Sequence, residues 1–390
     1  MKIVLLCWRD TGHPQGGGSE HYLEQLGHYL KRQGHHVIVR TARYPGAPRA
    51  GRLGELTVSR GGGRYTVYPR ALLWLMAGKL GLGRARRTEL IVDTQNGIPF
   101  FARLVGLAPT VGLTHHCHKE QWPVAGPLIG RLGWLIESRL APYVYRNAPY
   151  VTVSEASKKE LEHLGVDPAR ITVIRNGLSP LPQELIRLEP TPQLHLVTLS
   201  RLVPHKQIEH AMDALAAVLP RHNAVMDVIG SGWWAEKLHH YAQQLGVADR
   251  VIFHGQVGEQ VKHALLDQAD IHLMPSRKEG WGLAVMEAAQ HGVPTIGYRH
   301  SAGLCDSVVD GRTGLLASNK TELVAHLERL LTHPEQRRAL GRAARRRAAE
   351  FSWEDTGAAW EKLLSTLAAA RLGHDPGSSA PPRINAPHEG

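Results

Sequence analysis

Two carboxylates, Glu279 and Glu287, flank the loop Gly280-Trp281-Gly282. The loop follows an apolar run, Ile271-His272-Leu273-Met274, and opens a segment of helical composition that ends at His291-Gly292-Val293-Pro294. Glycines at 280 and 282 let the backbone turn tightly and come close to a ligand. The helix beginning near Leu283 then aims its free N–H groups and positive dipole end at the crevice. Glu287 falls about one turn into that helix, so one small polar ligand can meet two carboxylates and a row of amides. A lone Glu at this distance from another is ordinarily solvated; the glycines, Trp281 and Pro275-Ser276 favour a site. A second cluster, Arg201 and Lys206, flanks a turn after the apolar stretch 194–199. Two cations on such a loop can neutralise a diphosphate, and Arg can do so bidentately. Taken alone, a basic pair is by default solvated surface charge.

Strands and helices must bring these residues together. The first half alternates strand and helix signals, as a doubly wound α/β sheet does. A strand at 3–7 precedes the loop Gly16-Gly17-Gly18-Ser19, a helix over about 20–33 and a second strand at 36–39. That loop is either an anion cradle at a helix N-terminus or a plain turn. A nicotinamide dinucleotide site is disfavoured, because the second strand ends in Arg40-Thr41 and not in an acid. Residues 45–64, rich in Gly, Pro and Arg, read as a loop. Strands at 90–93 and 110–113 lead to Thr114-His115-His116-Cys117-His118. The histidines and cysteine invite zinc, but side chains so close along the chain cannot all reach one ion. Their place at the carboxyl end of a strand is where open α/β sheets bind ligands. A proline-rich linker at 179–193 follows, and the strand–helix rhythm restarts. Gly230-Ser231-Gly232 reads as a close-approach turn and 306–316 as strand–turn–strand.

Glu279-Gly-Trp-Gly-Leu…Glu287-Ala resembles the E-x7-E signature of the retaining glycosyltransferases of family 4, which have the two-domain GT-B fold. The segment 200–207 is similar to that family's Gly-Arg-Leu-x-x-x-Lys-Gly pattern, with Ser200 and Gln207 in place of the two glycines. Asp306 stands where the family usually has Glu. The resemblance spans nearly the whole chain and is most specific over 194–316. It implies two Rossmann-like domains facing across a cleft, whose closure excludes water. It also implies transfer of a sugar, with retention, from a UDP- or GDP-linked donor to a carbohydrate, lipid-linked or small-molecule acceptor. Arg201 and Lys206 would stabilise the departing diphosphate, helped by amides around Gly282-Leu283 and Gly17-Gly18. Glu287 would bind the ribose, Glu279 beside Gly280 the sugar hydroxyls, and the segment around His254 the base. His115, or else His116 or His118, would contact the donor sugar. The leaving phosphate oxygen would take the acceptor's proton, so no nucleophile, cofactor or metal is required. The rival readings are a retaining GT-B epimerase or hydrolase-like enzyme and a non-catalytic sugar-nucleotide binder.

A chain of 390 residues suggests two domains: 1–185 completed by a returning helix at 354–372, and 186–353, with 373–390 a disordered tail. Lys and Arg outnumber Asp and Glu by 46 to 35, a net charge of +11 that favours anionic partners. Nothing resembles a nucleic-acid-binding motif, so no nucleic acid is expected. Three scattered cysteines fit a reducing compartment. With no signal-like segment and no apolar run near the ~20 residues of a span, a cytoplasmic protein is expected. The apolar run 71–77 lies among Arg70, Lys79, Arg84, Arg86 and Arg87. Such a helix either covers a sheet behind a basic rim or rests on an anionic membrane surface with Trp74 among the headgroups.

Overall fold

The computed structural model describes residues 1–14, 16–122 and 126–372, and the tail expected at 373–390 lies outside them. Contacts divide the chain into two units, Met1–Gly177 with the segment from Trp353, and Leu178–Ser352. Sequence reading puts the division at 185/186.

The first unit runs β1 (Lys2–Leu6), α1 (Gly18–Arg32), β2 (His36–Thr41), β3 (Ala50–Leu53), β4 (Leu56–Arg60), α2 (Val67–Lys79), β5 (Leu90–Gln95), β6 (Thr110–Thr114), α3 (Pro127–Leu135), α4 (Ala141–Val144), β7 (Tyr150–Thr152), α5 (Glu155–His163) and β8 (Ile171–Val173). Its eight strands lie in the order β3-β4-β2-β1-β5-β6-β7-β8. All pairs are parallel except β3 with β4. Ile3 to Leu6 are fully buried, which explains why β1 reads as an unbroken apolar run: a parallel strand is covered on both faces. The order reverses between β1 and β5, so the loops after these two strands open onto the crevice.

One expectation fails here. The stretch 45–64 is no plain loop but carries the hairpin β3–β4, with a turn at Gly54 (φ +52°). Leu56 and Val58 are completely buried, and this alternation of buried and polar positions makes the strand despite the surrounding Gly, Pro and Arg.

The second unit contains β9 (Leu194–Leu199), α6 (Ile208–Val218), β10 (Ala224–Ile229), α7 (Ala235–Gln244), β11 (Val251–Gly255), α8 (Glu259–Gln268), β12 (Ile271–Met274), α9 (Leu283–Gln290), β13 (Thr295–Tyr298), α10 (Ala302–Ser307), β14 (Gly314–Ala317), α11 (Lys320–Thr332) and α12 (Pro334–Ala348). Its sheet has the order β11-β10-β9-β12-β13-β14 and is wholly parallel. Leu196, Val228, Ile271 and Ile296, all fully buried, form the centre of its core with the inner faces of α6 and α11. The reversal lies between β9 and β12. A second correction concerns Asp306 and Ser307, expected in a strand: both belong to α10, and only the Asp310–Gly314 bridge precedes β14.

The last helix, α13 (Trp353–Leu372), returns to the first unit and packs on α1. The indole N–H of Trp360 donates to Tyr22 Oη (2.6 Å), and that hydroxyl donates to the Ile174 carbonyl (3.1 Å). Both rings are wholly buried.

Candidate functional site

In the second unit, the two strands that diverge at the reversal deliver the residues singled out by chemistry. The loop after β9 carries Arg201 and Lys206; the loop after β12 carries Glu279, Gly280 and Gly282. Lys206 Nζ lies 2.5 Å from Glu279 Oε1, with both side chains largely buried. The Arg277 N–H also donates to the His205 carbonyl (2.8 Å), so the loops are pinned by main chain as well as by charge.

The close approach predicted for Gly230-Ser231-Gly232 positions Arg201. A Cβ on Gly230 would stand 1.9 Å from the Ser200 carbonyl oxygen, and one on Gly232 would stand 2.1 Å from that of Leu202. The Leu202 N–H donates to Ser231 O (3.0 Å), locking the two loops together. Gln207, which replaces a glycine of the resembled pattern, holds a left-handed backbone (φ +50°) at the N-terminus of α6. Such a conformation costs an L-residue about 1–2 kcal/mol.

Gly282 (φ +89°) caps α9 and turns the chain so that the helix starts at Leu283. Trp281, 2% exposed, packs edge-on against Phe351 (5.0 Å between centroids) and anchors the loop. Glu287 is not alone. Lys262 Nζ on α8 sits 2.6 Å from Glu287 Oε1 and 2.8 Å from Glu259 Oε2. Burial acts against the Lys262 charge, but Glu287 and Glu259 outweigh it and hold the Lys262 pKa above its ordinary value. His254 on β11 is bonded through Nε2 to Asp227 Oδ1 (2.7 Å), whose other oxygen meets His195 (2.8 Å). The side chain is thereby engaged at the sheet edge.

Two family models match this chain: Glycosyltransferase Family 4 over residues 16–180 and Glycosyl transferases group 1 over residues 186–347. The chain belongs to the family 4 glycosyltransferases. It is an enzyme of sugar transfer from nucleotide-sugar donors. The chain is 28% identical to the GDP-mannose-dependent alpha-(1-6)-phosphatidylinositol monomannoside mannosyltransferase of Mycolicibacterium smegmatis, over 92% of this chain and 97% of that one. It is 26% identical to glycogen synthase of Mycobacterium tuberculosis, over 95% of each. Among solved structures, sucrose-phosphate synthase from Thermosynechococcus elongatus superposes with a TM-score of 0.78 at 22% identity, covering 95% of this chain and 99% of that one. Anabaena HepE in complex with UDP and glucose does so with a TM-score of 0.72 at 18% identity, over 94% and 100%. These likenesses establish the GT-B fold, with its two Rossmann-like domains.

In the glycosyltransferase's first unit, the structure separates the three histidines. His115, at the end of β6, is 7% exposed, and its Nε2 has no hydrogen-bond partner among the described residues. Burial pushes its pKa down to about 4, against the pull of Glu20. His118 instead packs on His116 (4.4 Å between ring centroids) and lies 3.3 Å from Glu137, a fully buried carboxylate that also accepts from Trp122 Nε1 (2.6 Å). No group of three His, Cys, Asp or Glu among the described residues is arranged to hold a metal. The Gly17 amide, expected in the anion cradle, donates to Glu20 Oε2 (2.8 Å), and Glu20 also pairs with Arg9 (3.1 Å). That bond takes Gly17 out of the cradle. A Cβ on Gly18 would meet nothing within 4 Å, so its backbone faces open space. Sequence reasoning missed Lys262 and Glu137; neither sits in a recognisable local pattern.

Beneath Lys206 lies His272 of β12, fully buried, with Nδ1 3.0 Å from Thr295 Oγ1. Burial, and secondarily the Lys206 charge, push its pKa down to about 3. The unfolded chain, with a histidine pKa near 6.5, binds a proton that the folded protein does not. Stability should therefore fall as pH drops from about 6.5 toward 3, by up to about 1.4 kcal/mol per pH unit from this group. His205, depressed to about 4 by burial and then Lys206, acts in the same direction. His272→Asn should show a smaller loss of melting temperature between pH 7 and pH 5 than the parent; an identical loss would exclude His272 as a source of acid sensitivity.

Proposed function

We propose that the second unit holds a nucleotide diphosphate sugar at the reversal between β9 and β12 and that transfer proceeds with retention. The observation carrying this reading is the Lys206–Glu279 pair. It puts a cation for the diphosphate and a carboxylate for sugar hydroxyls at one point, beside the N-terminus of α9. Glu279 Oε1 fixes the ammonium, and its second oxygen is available to a hydroxyl. As the donor's glycosidic bond breaks, negative charge grows on the leaving phosphate. Lys206, Arg201 and the amides at Gly282-Leu283 are donors fixed in advance for that charge, which is where such groups accelerate a reaction most. Glu287, held in place by Lys262, accepts from the two ribose hydroxyls, and the main chain around His254 meets the base. In the first unit, the buried Nε2 of His115 takes a sugar hydroxyl, and the Gly18 amide lies at the start of α1. GDP is the favoured nucleotide, because the mannosyltransferase relative that aligns over nearly the whole chain uses GDP-mannose; UDP is the competitor. The acceptor is a carbohydrate or a lipid-linked headgroup.

Arg201→Ala and Lys206→Ala should each lower turnover by roughly two to three orders of magnitude. If turnover at saturating donor is unchanged and only donor affinity falls, the cations bind the ground state alone. Nucleotide choice is read from thermal stabilisation by GDP-, UDP- and ADP-sugars, since a ligand of the native state raises the melting temperature. Glu287→Ala should abolish most of the stabilisation by free nucleotide and by nucleotide sugar alike. Stabilisation identical to the parent's would show that Glu287 does not hold the ribose.

Association with an anionic membrane is a second reading, favoured by one observation in the first unit. Leu128, Ile129, Leu132 and Leu135 of α3 are all more than half exposed, with Leu128 at 81%. The 71–77 stretch contributes less than its sequence suggests: Ala71 and Leu75 are buried, and Trp74 lies under the Arg40 guanidinium (5.4 Å). No described helix is long and apolar enough to cross a bilayer. Leu128→Ser/Leu132→Ser should reduce sedimentation with anionic vesicles at physiological salt, where the electrostatic part is screened; undiminished sedimentation would remove α3 from the contact.

A further inference from the structure

We propose that the arginine-lined cavity at the carboxyl ends of β2 and β4 binds the phosphate of an anionic acceptor. This deepens the acceptor half of the proposed function and rests on it. The cavity, of about 600 Å³, is bounded by Arg40, Arg43, Arg49, Arg60 and Arg70 together with the glycine run Gly61-Gly62-Gly63. That volume is typical of a small-molecule site. No carboxylate lines it among the described residues.

Its arginines are not equivalent. Arg60, 6% exposed, is neutralised by Asp10, with Nε 2.7 Å from Oδ2. Arg40 is just as buried, yet among the described residues its guanidinium bonds only to Ser59 Oγ (3.0 Å) and the Arg70 carbonyl (3.4 Å), and its Nε has no partner there. A buried guanidinium without a counter-charge is unfavourable, and burial followed by the nearby Arg70 lowers its pKa. An incoming anion supplies the missing charge, and planar guanidinium groups match phosphate oxygens two at a time. Gly61 makes room for this guanidinium: a Cβ there would stand 2.4 Å from Arg40 Nη2. Arg43, Arg49 and Arg70 are exposed at the rim and form no ion pair among the described residues. Asp10 joins the cavity to the loop after β1, accepting from the Gly12 N–H (3.0 Å) and from Tyr44 (3.3 Å). An anionic group held here therefore lies near the chain segment that leads to Gly18 and α1, on the unit left for the acceptor.

The test uses the full chain and two probes. Glucose 6-phosphate represents a soluble phosphate, and vesicles of phosphatidylglycerol in phosphatidylcholine represent a lipid phosphate. Glucose and pure phosphatidylcholine are the neutral controls. The variant is Arg43→Gln/Arg70→Gln, two exposed side chains whose loss should leave the melting temperature unchanged. Its affinity for the phosphate-bearing probe should fall about tenfold or more for each guanidinium removed, with GDP and UDP binding unaltered. A loss confined to glucose 6-phosphate assigns the cavity to a soluble phosphate, and one confined to vesicles assigns it to a lipid phosphate. Equal binding by parent and variant to both probes, or binding that ignores the phosphate, overturns the proposal. Nucleotide binding on the same samples reports on the donor site alone. Its absence in the parent would remove the donor assignment and leave the arginine cavity standing, whereas its presence beside arginines indifferent to phosphate would remove only the cavity.

Discussion

The ion pair between Lys206 and Glu279 is the contact around which the loops at the reversal of the second sheet are arranged. Each residue sits on a loop leaving one of two neighbouring parallel strands, so the pair exists only because β9 and β12 end side by side. Everything near it serves to place these two charges. The glycines after β10 let one loop lie against another, the Arg277–His205 main-chain bond holds the second loop in step, and Trp281 plugs the base of the turn. The nearby histidines, His205 and His272, stay neutral because burial opposes their protonation. A protonated imidazole there would compete with Lys206 for the same carboxylate.

Much of this was legible in the sequence, and for physical reasons. The parallel strands are apolar without interruption, so they stand out against polar loops, and glycine marks the turns where backbones touch. The run from Ile271 to Glu287 thus showed a strand, a tight turn and a helix. The departures at Ser200 and Gln207 were equally visible, and Gln207 does adopt the backbone that glycine would take at no cost. What stayed hidden depends on tertiary contact. Lys262 looks like any solvated helix lysine until the fold lays α8 beside α9 and brings it to Glu287. The strand β4 was masked because Gly and Arg crowd a short alternating segment.

The histidine run shows the same limit. His115, His116 and His118 are equivalent as letters, and only burial distinguishes the one with an unpartnered nitrogen from the two that stack on each other. The role of Glu20 was nearer to hand. A carboxylate three residues into a helix commonly reaches back to the amide of the capping residue, which is how Gly17 loses its free donor. In the proposed reading the first unit thus presents anions with two kinds of partner, main-chain amides at α1 and guanidinium groups at the ends of β2 and β4. The amides are neutral and short-ranged, while the guanidinium groups attract from further away and respond to salt.

The return of α13 to the first unit has a consequence for how the chain comes into being. A ribosome releases the strands of that unit first, but the helix that covers α1 emerges only after all of Leu178–Ser352 has been made. At ordinary synthesis rates this interval is roughly ten to thirty seconds. Through it, Tyr22 waits without the indole that later bonds to it, and the apolar face of α1 stays open to water or to a chaperone. The middle unit, contiguous in the chain, can complete itself meanwhile. The first unit thus closes only when a helix made after the whole of the second unit reaches back to cover α1.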